Sequence, residues 1–192
     1  ITDGCKTKMN IFYLDHNPKS CAEMHIDKHS SKMLVEYAQL MSTAHRVLDG
    51  KKVKRLSKSN RLLTTYDHPR RDHYLYKSCH VNHPSNIWVR QSKENYKWLY
   101  DHFIASCNEY THRYGKVHAT ETKLAKIFKN PPKNLPEGPQ QEFAVAIAEN
   151  QTCRQVPGFD KLPVVNKYQQ YIINDKPFAV WTTRSKPVWF KK

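Results

Sequence analysis

The amino-acid sequence predicts a mainly helical, compact single domain built on two long helices, with a short extended segment on its N-terminal side. Two stretches carry apolar residues at helical spacing, from Asn17 to Leu48 and from Pro84 to Tyr114. Both are bounded by residues that start and stop helices. At 192 residues the chain can bury one sizeable core, which predicts one domain over 9–192.

The first long helix follows a short apolar run, Met9 to Leu14, which predicts a strand or an extended arm. Asn17 before Pro18 is typical of an N-cap followed by the first helical position. Gly50, after Asp49, is a helix stop. The first long helix is therefore predicted to end immediately before a basic stretch.

The rest of the chain contains one more long helix between shorter or irregular elements. Residues 50–73 are rich in Lys and Arg without a consistent periodicity, and they predict a basic loop that orders on binding. The second long helix starts at Pro84 and is closed by Gly115. The remaining segments are a short helix at 120–128, a Pro-rich connector at 130–140 and a helix at 163–173.

The charge balance favours a polyanionic partner. Thirty-two Lys and Arg against seventeen Asp and Glu give a net charge of +15, and a surface so positive repels itself unless a polyanion binds it. Nucleic acid is the first candidate, ahead of anionic membrane or a ribosomal or capsid assembly. A basic protein without such a partner is the alternative.

The chain shows no apolar stretch of membrane-spanning length and no secretory signal. Its five cysteines are widely spaced and form no CxxC, which predicts reduced thiols. The expected location is the cytoplasm. Residues 1–8 are interpreted as a leader or a cloning remnant, because Met9 followed by NIFYLD resembles a natural start.

A polar stripe on the first helix is the strongest local signal. At about 100° per residue, His25, His29, Lys32 and Glu36 fall on one arc beside the apolar face. Side chains at such a border are both positioned and reachable. The four are therefore predicted as catalytic, through acid–base chemistry by His29 with Glu36 or through phosphate binding by the cations.

Two other interpretations of the stripe stay open. His25 and His29 have the i, i+4 spacing of a metal-binding pair, although Lys32 one turn away opposes a dication. A solvated edge with a Lys32–Glu36 ion pair also explains the pattern. No cofactor is predicted. A second set of possible metal ligands matches no standard zinc module: His73, Cys79, His80 and His83.

Three groups of cations are candidate nucleic-acid contacts. The basic loop offers Lys51, Lys52, Lys54, Arg55, Arg70 and Arg71. The second long helix presents a ridge of Arg90, Lys93 and Lys97 at i, i+3, i+7. The turn at Gly115 gathers Arg113, Lys116 and His118, which suits either an anion or the helix dipole. The neighbouring aromatic residues Trp88, Tyr96 and Trp98 are expected to pack, with stacking on bases as the alternative.

Several segments resemble a family of small phage-encoded proteins over residues 9–190. The similar segments are MNIFYLDHNP, HIDKHSSKMLVEYAQLMSTAHRVLDG, HPSNIWVR, RYGKVH and PVWF. The segments LVEYAQL at 34–40 and GKKVKR at 50–55, with the closing Trp189-Phe190, are also similar to the pyrimidine-dimer DNA glycosylases. Those are small basic helical repair enzymes that flip a base and cut with a lyase step.

The second resemblance implies DNA as the partner and an amine as the nucleophile. In that family the nucleophile is the amine of a processed N-terminal Thr, whereas the candidates here are Ile1 or Met9-Asn10. The position of the family's catalytic Glu aligns with Gln39, three residues after Glu36. An internal lysine such as Lys32 is the other amine that could form an imine.

The sequence thus predicts a nucleic-acid-binding phage protein that processes DNA, of glycosylase, lyase or nuclease type, in the host-cell cytoplasm. It holds no GxGxxG, P-loop, GxSxG or HExxH motif, which argues against the common nucleotide-cofactor enzymes. Two other functions stay open: a non-catalytic DNA-binding or host-takeover factor, and an enzyme acting on a small anionic nucleotide or metabolite.

Overall fold

The computed structural model describes residues 9–57 and 59–191, and the interpretation of residues 1–8 lies outside that part of the chain. The described residues form six α-helices and one two-stranded antiparallel sheet, so the predicted fold is confirmed in part. The elements are α1 (Pro18–Glu23), α2 (Asp27–Asp49), β1 (Lys51–Leu56), β2 (Leu62–Asp67), α3 (Pro84–Gln91), α4 (Lys93–Tyr114), α5 (Ala119–Phe128) and α6 (Val164–Asp175).

The two longest helices, α2 and α4, pack against each other in the core. α2 buries an apolar stripe at helical spacing that includes Met33, Tyr37, Leu40 and Ala44. α4 contributes buried residues such as Phe103. None of the helices in the described ranges combines the length and apolarity that crossing a membrane requires.

The first predicted helix is broken between α1 and α2, which corrects the expectation of one continuous helix. Ile26 is buried and has an extended backbone with φ −64° and ψ 155°. The N–H of Asp27 donates to the carbonyl oxygen of Val180 at 2.9 Å. A contact with the distant C-terminal segment thus replaces the helical hydrogen bond, and His25 lies outside the helical phase of α2.

The second predicted helix is also two helices, α3 and α4, that meet at Ser92. Ser92 has an extended backbone, and its Oγ accepts a hydrogen bond from the N–H of Asn95 at 3.1 Å, as an N-cap does. The N–H of Lys93 donates to Pro136 O at 2.9 Å. Arg90 and Lys93 therefore belong to different helices.

The predicted basic loop at 50–73 contains the β1–β2 hairpin. The register runs from Lys51 opposite Asp67 to Leu56 opposite Leu62. Both faces of the hairpin are largely exposed, so the two strands show no alternation of apolar and polar residues. The missing periodicity reflects a hairpin that projects from the core.

The extended segment Met9–Leu14 runs through the core and is buried along its length. The Tyr13 ring stacks on Phe143 at 3.6 Å between centroids, and the Asn10 Oδ1 accepts a hydrogen bond from the Tyr168 hydroxyl at 2.8 Å. These contacts fix the segment against α6 and against the irregular segment that contains Phe143. The predicted packing role is confirmed for Trp88, Tyr96 and Trp98, which are all buried.

Candidate functional site

A cavity of about 720 Å³ opens beside the N-terminal half of α2. We call it the α2 pocket. Its volume lies in the range of sites that hold small molecules, and it is large enough for one nucleotide. The polar and aromatic residues that line it are Asn10, Phe12, Lys28, His29, Lys32, Glu36, His80, His83, Gln151, Tyr171, Lys176 and Phe178.

Glu36 is the one acidic residue among the described residues that line the α2 pocket. Its side chain is 3% exposed, and the Nζ of Lys32 lies 3.2 Å from its Oε1. The backbone N–H of Asn10 donates to Oε2 at 3.3 Å. Burial raises the pKa of Glu36, although the charge of Lys32 opposes that effect. The pocket therefore holds a carboxyl group that can exchange a proton with a neighbouring amine.

His29 also lies in the α2 pocket, where its ring stacks on Phe12 with 4.1 Å between centroids. Burial lowers the pKa of His29 to about 3, and the charges of Lys176 and Lys32 add to the effect. The imidazole is therefore neutral at neutral pH. Its Nδ1 is buried without a protein partner, and the neutral ring brings no positive charge to the pocket.

The rim of the α2 pocket carries two further lysines that rest on aromatic rings. The Nζ of Lys28 lies 4.4 Å from the ring centroid of Phe178, and that of Lys176 lies 4.1 Å from the ring of Tyr171. Such contacts hold an ammonium group in place without neutralising it. The rim is therefore suited to an anionic ligand.

His25 does not reach the α2 pocket, although the stripe predicted it beside His29. It is 1% exposed, and its Nε2 lies 3.4 Å from both Phe12 O and the Tyr37 hydroxyl. The same hydroxyl lies 3.1 Å from the Nε2 of His102. His25 is thus part of a buried polar network, because the break before α2 turns it toward α4.

The basic hairpin adjoins the α2 pocket. Lys51, Lys52 and Lys54 are exposed on β1, as the predicted nucleic-acid contacts require. A second cavity of about 600 Å³, the hairpin cavity, lies between the hairpin and residues 78–83. Its lining residues are Lys52, Thr64, Tyr66, Ser78, Cys79, His80, Val81, Asn82 and His83. The α2 pocket shares His80 and His83 with it, so the two cavities are neighbours.

The other three cations of the basic loop that were predicted to bind nucleic acid differ in how accessible their side chains are. Arg55 forms an ion pair with Asp67 at 2.6 Å. Arg70 is exposed. Arg71 is half-buried, with its Nη1 3.4 Å from the Nδ1 of His45. Arg70 thus remains the most accessible of the three.

The predicted ridge on the second helix does not form. The Nη2 of Arg90 donates to Val81 O at 2.8 Å. Lys93 pairs with Glu137, and Lys97 pairs with Asp101 at 3.0 Å. The break at Ser92 changes the direction of the chain, so the i, i+3, i+7 spacing does not align these side chains.

Three residues at the turn around Gly115 were predicted to bind an anion. Two of them have structural roles, and the third is exposed. Arg113 is buried, donates to Glu109 Oε1 at 2.6 Å and to Asp27 Oδ1 at 2.9 Å, and also binds two backbone carbonyls. The Nδ1 of His118 accepts from the N–H of Thr120 and caps α5. Lys116 is exposed. None of the three lines the α2 pocket.

Two clusters among the described residues have the composition of a metal site, with ligand atoms within 4.8 Å of one another. They are Cys21 with His25 and His102, and His45 with Asp49 and His68. In the second cluster the Nδ1 of His68 accepts two backbone N–H groups. Its Nε2 must therefore carry the proton and cannot bind a cation. In the first cluster the Tyr37 hydroxyl lies within hydrogen-bond distance of both histidines, and the Cys21 thiol donates to Phe12 O. The histidines at 73, 80 and 83 belong to neither cluster.

Sequence reasoning missed several residues of the α2 pocket. Asn10 and Phe12 lie on the buried extended segment, whose apolar pattern gives no sign of a ligand. Lys176 and Phe178 come from the end of α6, far along the chain from α2, and no local pattern links them to it. Lys28 lies in the first turn of α2, and the predicted stripe of His25, His29, Lys32 and Glu36 does not include it.

Comparison with protein-family models gives no match for the chain, and comparisons with curated proteins and with solved structures give no significant match. The chemistry of the α2 pocket and of the surface around it is therefore the guide to function.

Proposed function

We propose that the protein is a DNA-processing enzyme of glycosylase–lyase type, which acts on a nucleotide turned out of the duplex into the α2 pocket. The observation that carries this proposal is the pair of Lys32 and Glu36, an amine 3.2 Å from a buried carboxylate in a pocket with a cationic rim. A base inside a duplex is out of reach of such a pair, so the nucleotide must leave the stack.

The proposed reaction begins with a proton transfer between Lys32 and Glu36. Lys32 transfers a proton to Glu36, and the neutral amine attacks C1′ of the deoxyribose. The bond between C1′ and the base breaks, and the base leaves with the electron pair and a proton from Glu36. Glu36, again a carboxylate, moves a proton from the nitrogen to O4′ as the C1′–O4′ bond breaks, which opens the sugar ring and leaves a protonated imine between Lys32 and C1′. Glu36 then takes the C2′ proton, a C2′–C3′ double bond forms, and the bond from C3′ to the 3′ phosphate breaks, which cuts the strand.

The Asn10 nitrogen is the second possible amine. It lies 3.3 Å from Glu36 Oε2, and it is an amide as long as Met9 precedes it. A cut between the two residues would make it a primary amine beside the same carboxylate. The resemblance to the pyrimidine-dimer glycosylases supports this alternative, and the test below separates it from Lys32.

The other residues of the pocket bind the substrate. Lys28 and Lys176 place positive charge at the rim, where the phosphates that flank the extruded nucleotide would lie. The neutral ring of His29 and the ring of Phe12 offer an aromatic surface to the nucleotide. The lysines of β1 extend the cationic surface along the duplex.

An enzyme that acts on a free anionic nucleotide is the second candidate function. The cavity volume of about 720 Å³ favours it, because a nucleotide fits without any duplex around it. The exposed lysines next to the pocket favour the DNA enzyme, since a free nucleotide cannot reach them and the pocket together.

The test is binding and strand cleavage on plain, ultraviolet-irradiated and abasic duplexes, with and without Mg²⁺, across a salt series. Salt-sensitive binding with damage-dependent cleavage that needs no Mg²⁺ is the expected result. Binding without cleavage would point to a non-catalytic DNA-binding factor. A failure to bind at low salt, with a mononucleotide raising the melting temperature, would favour the second candidate.

A further inference from the structure

The tip of the β1–β2 hairpin combines exposed leucines with a basic stem. Leu56, Leu62 and Leu63 are 65%, 62% and 48% exposed. An isolated two-stranded hairpin is only marginally stable in water. Leucine side chains that are exposed at its end bury no apolar surface and therefore do not stabilise the fold. An exposed apolar cluster of this kind marks a contact surface.

Backbone hydrogen bonds join the described residues on the two sides of the tip. The N–H of Ser57 donates to Arg61 O at 2.8 Å, which continues the ladder beyond the last strand pair. The N–H of Asn60 donates to Ser57 O at 3.0 Å, and Asn60 has φ 58°, the left-handed conformation of a tight turn. These hydrogen bonds hold the two strand ends together next to the leucines, which lowers the entropic cost of inserting them.

The pairing register puts Leu56, Leu62 and two lysines on one face, and Leu63, opposite Arg55, on the other. Leu56 is opposite Leu62, and two residues back along each strand Lys54 is opposite Thr64. Side chains two residues apart on a strand point to the same side. Two more residues back, Lys52 belongs to the same face and lines the hairpin cavity. This face thus runs from Leu56 and Leu62, past two lysines, to the cavity that borders the α2 pocket.

We propose that the tip leucines form a wedge that enters a base step of duplex DNA while the lysines behind them hold the phosphates. The proposal rests on the proposed function and names how the duplex is opened. In nucleic acid the apolar surfaces are the faces of the bases, and they become available when a step is unstacked. Leu56 and Lys52 are separated by about 13 Å along the strand, so the opened step would lie a few base pairs from the hairpin cavity.

The position of this face next to the α2 pocket favours DNA over a membrane as the partner. A bilayer would contact the tip and the lysines but would leave the Glu36–Lys32 pair unused. A duplex that lies along the hairpin brings a nucleotide to the pocket.

The test uses a duplex with 2-aminopurine, whose fluorescence rises when it is unstacked, and three variants of the full chain. Leu56→Ser with Leu62→Ser removes the wedge at exposed positions, so the fold is preserved. Lys52→Gln with Lys54→Gln removes two phosphate contacts. Val188→Ser is the matched control, since Val188 is 91% exposed in the C-terminal segment.

The wild type and the Val188 variant are expected to raise the fluorescence. The leucine variant should lose the rise and bind intact duplex about tenfold more weakly, with an unchanged salt dependence. On a duplex with an abasic site its loss should be smaller, because that step is already open. The lysine variant should reduce the slope of log affinity against log salt by about 1.8.

Three results would overturn the wedge. Wild-type binding and fluorescence in the leucine variant would exclude it and leave the proposed function intact. No binding of the duplex by the wild type would reject the wedge and the proposed function together. Binding to vesicles of phosphatidylserine and phosphatidylcholine that is lost in the leucine variant, with duplex binding unchanged, would show a membrane contact instead.

Discussion

The Nζ of Lys32 lies 3.2 Å from the Oε1 of Glu36, one helical turn further along α2. The lysine side chain is 56% exposed and the glutamate side chain is 3% exposed. The amine is therefore open to a ligand while the carboxylate stays shielded from water. This asymmetry distinguishes the pair from an ordinary surface ion pair, which is exposed at both ends.

Replacing Glu36 by Gln keeps the shape of the side chain but removes its ability to accept and donate a proton. Strand cleavage of an abasic duplex should fall by about 10²- to 10⁴-fold. Duplex binding should be unchanged or tighter, because a negative charge is lost. Single-turnover cleavage and a binding titration measure the two effects.

The matched control for this variant is Asp101→Asn. Asp101 is also paired with a lysine at i, i+4, through Lys97 at 3.0 Å, but it does not line the α2 pocket. Wild-type cleavage is expected in the control. Equal losses in the two variants, or full activity in Glu36→Gln, would contradict the role given to Glu36.

The stability of the protein should fall as the pH is lowered below 6.5. Burial, aided by the charge of Arg71, lowers the pKa of His45 to about 3, whereas an unfolded His titrates near 6.5. Between these two values the unfolded state binds the extra proton, so folding loses up to about 1.4 kcal/mol per pH unit from this group. Above pH 6.5 His45 is neutral in both states and contributes no slope.

Urea denaturation of the wild type and of His45→Gln over pH 4–8 checks this prediction. The variant should be less stable at pH 7, because it lacks the hydrogen bond between His45 Nε2 and the Tyr96 hydroxyl. Its stability should decline less steeply below pH 6.5. Parallel curves for the two proteins would show that His45 is not held neutral by the fold.

Arg46 should be among the residues most important for stability. Its side chain is fully buried and donates to Tyr76 O at 2.7 Å, Tyr66 O at 2.8 Å and Leu75 O at 3.0 Å, besides its ion pair with Asp72. Arg46→Met should cost about 3–5 kcal/mol, because it leaves these acceptors without a donor. Since Tyr66 belongs to β2, hydrogen exchange in the hairpin should accelerate.

The exposed Arg61 provides the control, and Arg61→Met should leave stability unchanged. Chemical denaturation compares the two variants directly. A small effect of Arg46→Met would mean that the hairpin is not anchored through this side chain.

Gly50 is required at the junction of α2 and β1 because of space and not because of its dihedral angles. A Cβ at this position would lie 2.2 Å from Arg46 O and 2.7 Å from Asp67 O, both backbone atoms. Gly50→Ala should therefore cost about 3 kcal/mol or more. Gly115→Ala meets no atom within 4 Å but has φ +66°, and should cost about 1–2 kcal/mol. The reverse order of melting temperatures would contradict the tight junction.

Helical periodicity was enough to predict that three of the candidate residues lie together. His29, Lys32 and Glu36 lie in the uninterrupted part of α2, and their spacing placed them together beside the core, as the structure does. His25 precedes the break at Ile26, and the cause of that break is a hydrogen bond to Val180, far along the chain. No local pattern could have indicated it.

The hairpin and the helix break at Ser92 were missed for different reasons. A projecting hairpin buries neither face, so β1 and β2 have no alternation to detect, although β-branched residues in both strands were a weak signal. Ser92 is a strong N-cap residue, and attention to it could have divided the second helix. Lys176 reaches the pocket through tertiary packing alone, which the sequence does not display.

The most direct test of the central claim is borohydride trapping on a duplex with a single abasic site. An imine reduced by borohydride becomes a permanent link between the enzyme and the strand. The wild type should give a covalent complex whose tryptic digest contains a peptide uncut at Lys32. Lys32→Gln should bind the duplex without being trapped, whereas Lys176→Gln should still be trapped, since Lys176 is assigned to phosphate. No trapping by the wild type, or equal trapping by Lys32→Gln through another amine, would contradict the assignment of Lys32 as the nucleophile.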